Sequence, residues 1–233
     1  MSKRYQQAAG LIDRKMSFSL EQAVAKLREL PAVKFDETVE LSASLNIDPK
    51  KTDQVVRGTV TLPHGTGKVR RVIVFCKGEK ELQARQAGAD VVGGLELIEK
   101  VQGGWLEFDV AIATPDMMRD VSKLGRVLGP RGIMPNPKVG TVTEDVAKAI
   151  GDVKQGKVEF KMDKLANIHF VIGKRSFPPQ QLADNARVAI EAIVRARPSA
   201  VKGRMLRGLT LSSTMSPGIS LETDRFEAAA QDA

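Results

Sequence analysis

The stretch Val55-Val56-Arg57-Gly58-Thr59-Val60-Thr61-Leu62-Pro63-His64-Gly65-Thr66-Gly67 ends one pattern of hydrophobicity, and Val72-Ile73-Val74-Phe75-Cys76 begins another. A proline and two glycines crowded into Pro63 to Gly67 interrupt any regular element, so this segment reads as a hinge or linker. Upstream of it, Val39, Leu41, Ala43, Leu45 and Ile47 alternate with Glu40, Ser42, Ser44 and Asn46, the period of a half-buried strand. Asp48-Pro49-Lys50-Lys51 supplies a turn, and Val55 to Leu62 is expected as that strand's antiparallel mate. Earlier in the chain, Ser19 and Gln22 have capping-box spacing, and Leu20, Ala23, Val24, Leu27 and Leu30 share one helical face until Pro31 stops it.

Downstream of the linker, short apolar strands alternate with helical segments. Val72 to Cys76, Asp90 to Val92 and Phe108 to Ala113 read as strands. Glu79 to Ala87, closed by Gly88, Leu95 to Val101, a segment begun by Pro115-Asp116, and Glu144 to Val153 read as helices. Strands spaced by crossover helices predict a parallel, Rossmann-like sheet. Gln155-Gly156-Lys157 returns the chain, after which Val158, Phe160 and Met162, then Ile168, Phe170 and Ile172, restore the strand alternation. Phe177-Pro178-Pro179 introduces a long helix striped with Leu182, Ala186, Ala189, Ile190, Ile193 and Val194, and Arg204 to Thr214 is expected as the last strand. The tail Glu227 to Ala233 has little to bury. The sequence therefore predicts a two-domain α+β protein. A discontinuous α/β sandwich built from both termini (residues 1–65 plus 158–233) carries an inserted Rossmann-like α/β domain (66–157), with hinges near 63–67 and 155–158.

Composition narrows the function. The 233 residues are 42% hydrophobic and 27% charged, enough to bury a core without staples. The longest apolar runs are far below the ~18 residues of a bilayer span. Met1 to Gln7 has basic residues but no apolar region behind them, so no secretory signal is read and a cytoplasmic location is expected. The lone Cys76 ends a β-branched run and reads as a buried thiol, and two distant histidines, His64 and His169, make no ligand cluster; neither metal nor cofactor is expected. The net charge of +8 points to polyanions. Aromatic residues make up only 4%, too few for a stacking platform, so any nucleic acid bound is expected to be folded.

Enzymatic signatures fail one by one. Gly65-Thr66-Gly67-Lys68 lacks the glycine that a phosphate loop needs at Leu62 and the hydroxyl it needs at Val69. The same glycines precede a strand instead of opening a helix after one, which also excludes the dinucleotide fingerprint. No GxSxG occurs, and His169 lies mid-strand, where a structural or RNA-facing imidazole fits better than a base. Trp105 reads as a packing residue. Two basic concentrations remain. Val121 to Gly140 carries Lys123, Arg126, Arg131 and Lys138 without an acid, +4 in 20 residues, with four glycines and three prolines that let backbone approach a phosphate-rich surface. Lys174 to Arg207, with Arg175, Arg187, Arg195, Arg197, Lys202 and Arg204 between, carries a net +6. A solvated loop and a solvated face are the plainer alternatives.

Particular strings go further than composition. Lys34-Phe35-Asp36-Glu37-Thr38-Val39-Glu40 and Arg57-Gly58-Thr59-Val60-Thr61-Leu62-Pro63-His64-Gly65 resemble the first half of the bacterial large-subunit ribosomal protein L1 (uL1) family. Gly125-Arg126-Val127-Leu128-Gly129-Pro130-Arg131-Gly132-Ile133-Met134-Pro135-Asn136-Pro137-Lys138 is similar to that family's signature loop. Gly78-Glu79-Lys80, Ala87-Gly88-Ala89-Asp90, Phe108-Asp109 and Ala113-Thr114-Pro115-Asp116 match it in order, so the resemblance covers nearly the whole chain.

The resemblance implies a non-enzymatic constituent of the large ribosomal subunit, monomeric there. It would bind 23S rRNA at the mobile L1 stalk, assist release of deacylated E-site tRNA, and repress translation by binding its own operon mRNA. It assigns the rRNA and mRNA surface to Lys34, Phe35, Thr38, Glu40, Lys164, His169, Ser213, Thr214, Met215, Ser216 and Gly218. Contact with tRNA or a second RNA segment falls to Arg126, Gly129, Arg131, Gly132, Met134, Asn136 and Lys138, and hinging to Pro63, Gly65, Gly67 and Gly156. In such a surface hydroxyls read 2′-OH groups, Lys meets phosphate, and Phe or Met excludes water. Two residues depart from the family pattern. Ser216 stands where glycine follows Thr-Met, and would be strained if that position needed a positive φ; Leu165 stands where a polar residue follows Asp-Lys. The competing classes are a general basic nucleic-acid binder, blind to RNA fold and steeply salt-dependent, and a nucleotide-binding enzyme built on the insert.

Overall fold

The computed structural model describes residues 2–226 except Arg14, Ser199, Lys202 and Arg225, and leaves the side chains of Thr52 and Lys138 undescribed. The tail from Glu227 and the Lys202 of the second basic concentration thus lie outside the described residues. In chain order the elements are α1 (Lys3–Gly10), α2 (Leu20–Glu29), β1 (Thr38–Leu45), β2 (Arg57–Thr61), β3 (Val72–Phe75), α3 (Glu79–Gln86), β4 (Val91–Gly93), α4 (Leu95–Gln102), β5 (Val110–Ala113), α5 (Met118–Val121), α6 (Gly125–Leu128), α7 (Val146–Lys154), β6 (Lys157–Lys161), β7 (Asn167–Lys174), α8 (Pro179–Arg195), β8 (Leu206–Ser213) and β9 (Ile219–Leu221). This is a mixed α+β protein whose contacts divide into two compact units, Met1–Gly67 with Val158–Ala233, and Lys68–Lys157.

The first unit is built on an antiparallel sheet of order β7-β1-β8-β9. Strict alternation along β1 buries Val39, Leu41, Ala43 and Leu45 against Ile168, Phe170, Leu209 and Leu211. Helices α2 and α8 cover that face with Leu20, Val24, Leu27, Leu182, Ile190 and Ile193. The capping box at α2 forms as its spacing predicts: the Gln22 N–H donates to Ser19 Oγ, and the Ser19 N–H donates to Gln22 Oε1. Pro179 occupies the first turn of α8, where its missing N–H leaves no ladder bond unmade.

Two expectations need correction, and one helix was not expected. Val55 to Leu62 is not the mate of β1: β2 pairs with β6 in a separate two-stranded sheet, because β7 and β8 occupy both edges of β1. Arg204 to Thr214 is not the last strand, since β9 follows after Pro217-Gly218, too short to show periodicity. Helix α1 escaped the sequence reading because Ala8 is its sole buried residue, leaving no apolar stripe to see.

The second unit has a parallel sheet of order β4-β3-β5. Its central strand is buried on both sides, as a continuous Val-Ile-Val-Phe run requires. One face packs Val72, Val74 and Ile112 against Ala84 of α3 and Val146 and Ile150 of α7. The other packs Ile73 and Phe75 against Leu97, Ile98 and Val101 of α4 and Met117, Val121, Leu124 and Leu128. Cys76 is fully buried at the end of β3, where desolvation pushes its thiol up to about 11. Asp145 caps α7 by accepting from the Lys148 N–H.

Candidate nucleic-acid interface

The side of the first unit's sheet that the helices leave uncovered is polar and rich in small hydroxyls. Alternation puts Glu40, Ser42 and Ser44 there from β1. Register sets Ser42 opposite His169 and Thr210, Ser44 opposite Asn167, Glu40 opposite Ser212, and Thr210 opposite Ser220. His169 is exposed, with Nδ1 3.1 Å from Ser42 Oγ. Lys34, Lys164 and Arg207 are exposed in the same unit, and the short side chains between would let a bulky, grooved partner approach the backbone. Along β1 this face runs for roughly 23 Å at about 3.3 Å per residue.

At one end of the face the segment before β1 meets the turn after β8. Glu37 continues the buried phase of β1 and is wholly inaccessible to solvent. Its Oε2 lies 2.6 Å from Arg175 Nη1, and its Oε1 accepts the Met215 N–H at 3.0 Å. Arg175 also donates to the carbonyls of Arg28 and Leu30. Beside this pair, Thr214 Oγ1 accepts the Thr38 N–H (3.1 Å) and donates to the Thr38 carbonyl (3.3 Å), while Lys174 Nζ donates to Thr38 Oγ1. Ser216 closes the turn, with its N–H donating to the Ser213 carbonyl and its Oγ accepting the Ser213 N–H at 2.8 Å. From this fixed base Phe35 (54% exposed) and Met215 (48%) project as large apolar side chains into solvent.

The residues assigned to rRNA and mRNA are thus spread along one face. Lys34, Phe35, Thr38, Thr214, Met215, Ser216 and Gly218 gather at the turn end, Glu40 and His169 lie mid-face, and Lys164 lies on the turn between β6 and β7. Ser213 is different: it shares the covered phase of Leu209 and Leu211, is 4% exposed, and its Oγ has no hydrogen-bond partner. Ser212, its neighbour, points to the open face in its place. The strain anticipated at Ser216 is absent, because among the described residues a non-glycine positive φ occurs only at Ala166. Gly218 is held small by contact, since a Cβ there would sit 2.6 Å from Thr210 Cγ2.

Lys164 and Leu165 lie on a turn organised by Asp163, whose carboxylate accepts the N–H groups of Leu165 and Asn167. Those bonds, that of Asn167 first, hold the Asp163 pKa below its ordinary value. Leu165 is 79% exposed, and Ala166 takes φ 62. Ala166→Gly should stabilise the protein by about 0.5–1 kcal/mol, the relief of left-handed strain less the entropy glycine adds to the unfolded chain. A thermal melt would read this; an unchanged or lowered midpoint would show that the buried methyl outweighs the strain.

In the second unit the tRNA-assigned residues sit on a loop fastened from below. Leu124 and Leu128 are buried, Ile133 and Met134 pack against the same core, and Arg126, Gly129, Arg131 and Gly132 are exposed. The Asn136 N–H donates to Thr141 Oγ1, closing the loop, and Lys138 lies in the Pro137–Val139 turn with its side chain undescribed.

Of the residues assigned to hinging, Gly65, Gly67 and Gly156 take positive φ. Pro63 to Gly67 is nonetheless tied down. Asn185, fully buried on α8, accepts the His64 N–H and donates from Nδ2 to the carbonyls of Gly65 (2.9 Å) and Ile172 (2.7 Å). A Cβ on Gly67 would lie 2.9 Å from Lys174 and Phe177. On the insert's side, Asp109 holds Lys68 Nζ and the Arg71 N–H, which lowers its pKa, the Lys68 bond contributing most. Arg70 donates to the Lys157 carbonyl at 3.1 Å.

Sequence reasoning gave no site role to Glu37, Asn185 and Arg4, and saw Arg175 only as part of a basic concentration. Glu37 and Asn185 had a signal, each being polar on an otherwise apolar phase; Arg4, which donates to the Pro31 and Met215 carbonyls, had none. Among the described residues no three His, Cys, Asp or Glu side chains converge to hold a metal ion, and no helix is long and apolar enough to cross a membrane.

Comparison with known proteins gives this geometry a context. The family model described as the Ribosomal protein L1p/L10e family matches residues 26–217. The large ribosomal subunit protein uL1 of Cutibacterium acnes is 57% identical over 221 residues, covering 95% of both chains. That of Rhodococcus erythropolis is 53% identical over 232 residues, covering 100% of this chain and 97% of its own, and that of Thermobifida fusca 52% over 232 residues, covering 100% and 99%. A family model matched over most of the chain, and relatives alike along nearly all of it, establish that the chain belongs to the ribosomal protein L1 family.

Proposed function

We propose that this protein is a non-catalytic constituent of the large ribosomal subunit, working in the cytoplasm, which binds 23S rRNA at the L1 stalk through the open face of the β7-β1-β8-β9 sheet. The observation that carries the reading is the face itself. A hydroxyl-rich surface ends in a turn locked by Glu37 and Thr214, with Phe35 and Met215 projecting beside it. Small hydroxyls and exposed backbone suit the shallow groove and 2′-OH groups of folded RNA, the cations suit its phosphates, and the two apolar side chains suit ribose or a base face. The names of the relatives, large ribosomal subunit proteins, support the setting.

The finer roles extend the same proposal. Residues 1–65 plus 158–233 act as the rRNA-binding domain and 66–157 as a second domain, hinged near 63–67 and 155–158. The loop bearing Arg126 and Arg131 faces E-site tRNA and assists its release. The open face also binds a stalk-like element in the protein's own operon mRNA and so represses translation. Because the Thr214 hydroxyl is engaged with the Thr38 backbone, Thr214 serves by fixing the turn, with one oxygen lone pair left for RNA.

The test is a titration against a labelled stalk fragment of large-subunit rRNA beside a scrambled hairpin of equal length, at several salt concentrations. A preference that persists as salt rises is expected. Phe35→Ala should weaken binding to the stalk fragment by about tenfold, and Thr214→Val should narrow the preference, because an unpaired Thr38 N–H loosens the turn. Equal affinity for both RNAs, collapsing together with salt, would reduce the surface to a general electrostatic one.

A further inference from the structure

We infer that helix α1 adds a second subsite to this interface, in which Arg4 grips a phosphodiester of the bound RNA next to the Thr214–Ser216 turn. The inference rests on the reading of the open face as an RNA surface. It starts from a groove of about 330 Å³ lined by Ser2, Arg4, Tyr5, Thr214, Met215 and Ser216. One wall is the turn already placed at the end of the face. The other is the start of α1, a helix with one buried residue, whose contribution to the core is correspondingly small.

The chemistry of the groove is one-sided. Its lining holds a guanidinium, a phenol, three aliphatic hydroxyls and a thioether, but no carboxylate. Arg4 Nη1 donates to the Pro31 carbonyl at 3.3 Å and Nη2 to the Met215 carbonyl at 2.7 Å. Two neutral carbonyls orient the guanidinium without cancelling its charge, and it keeps more N–H donors than they consume. No acid lies within ion-pair distance of it among the described residues, and the one carboxylate beneath the turn, Glu37, is satisfied by Arg175. A planar cation fixed at the rim of a groove, its remaining donors uncommitted and hydroxyls around it, is a fork for phosphate oxygens. Tying Arg4 to the Met215 carbonyl also makes the cation and the turn one rigid unit, so a phosphate bound at Arg4 is registered against whatever Met215 and Phe35 touch.

The competing role for Arg4 is a latch that merely holds the turn, and salt dependence separates the two. Stalk-fragment affinity would be titrated from low to high salt for the unmodified protein, Arg4→Gln, Arg4→Lys and Thr214→Val, with melting temperatures confirming that each is folded. A phosphate contact predicts that Arg4→Gln weakens binding about tenfold at moderate salt and lowers the slope of log K against log salt by about 0.7–0.9, one released counterion. Arg4→Lys should retain the slope and recover part of the affinity, having charge but no fork. Unchanged affinity in Arg4→Gln, or weaker binding at an unchanged slope, overturns the inference. The reading beneath it fails separately: if the unmodified protein shows no preference, or Thr214→Val leaves it intact, the open face is not the recognition surface, whatever Arg4 does.

Discussion

Replacing Glu37 with alanine is expected to destabilise the protein by about 3–5 kcal/mol, the cost of breaking a buried pair by removing one partner. Arg175 is then left largely out of water, with two carbonyls for company and no countercharge, and the Met215 N–H loses its acceptor. Denaturant unfolding would measure the loss, and hydrogen exchange at the Met215 amide would report the loosening of the turn. Glu37→Gln, which preserves shape and an acceptor for Met215, should cost less. Replacing Glu37 and Arg175 together by apolar residues of similar size should recover most of the stability without restoring the turn, since paired burial of charge specifies geometry more than it stabilises. A loss below about 1 kcal/mol for Glu37→Ala would mean that the pair is not the strut described above.

Asn185→Ala comes next, at about 2–4 kcal/mol. One side chain satisfies the His64 N–H and the carbonyls of Gly65 and Ile172, and alanine leaves all three without that partner, the Ile172 carbonyl in a buried site and the other two in half-buried ones. The Ile172 carbonyl is the most costly of these, because it lies in the core of the first unit. Equilibrium unfolding would give the magnitude. Faster exchange of the His64 amide, beyond what the global loss explains, would locate the effect in the Pro63 to Gly67 segment. If that amide exchanges no faster, the segment is held by something other than Asn185.

Both residues show how a sequence carries more than its periodicity states. The alternation of β1 was legible from Val39 to Leu45, but carried back two residues it lands on Glu37, an acid on the buried phase that signals a partner below. Asn185 follows Leu182 by three positions and breaks the apolar stripe of α8 in the same way. Parity also speaks to Ser213: with Leu209 and Leu211 buried, it had to face inward and Ser212 outward. The parallel insert was readable because crossover helices force neighbouring strands together. The false hairpin at Val55 to Leu62 was not, since alternation tells a strand which face is buried but not which strand lies at its edge. Arg4 could not have been found at all, being bound to a carbonyl 211 positions away.

The position of β1 has a consequence for how the chain is made. This strand is central in its sheet, yet its neighbours β7 and β8 are synthesised long after it, Thr38 meeting Thr214 across 176 positions. Throughout the synthesis of the next hundred or so residues, β1 emerges with both edges unpaired, a state prone to wrong partners. The insert, by contrast, holds all the strands of its sheet within Lys68–Lys157 and can close as soon as it leaves the exit tunnel. Once closed, it brings its own ends together, as the bond from Arg70 to the Lys157 carbonyl shows. About ninety residues then vanish from the loop between β1 and β7, lowering the entropy cost of pairing them by about 1 kcal/mol. The insert thereby acts as an early staple for the outer sheet, and mutations that slow its folding should surface as aggregation of nascent chains even where the finished protein is stable.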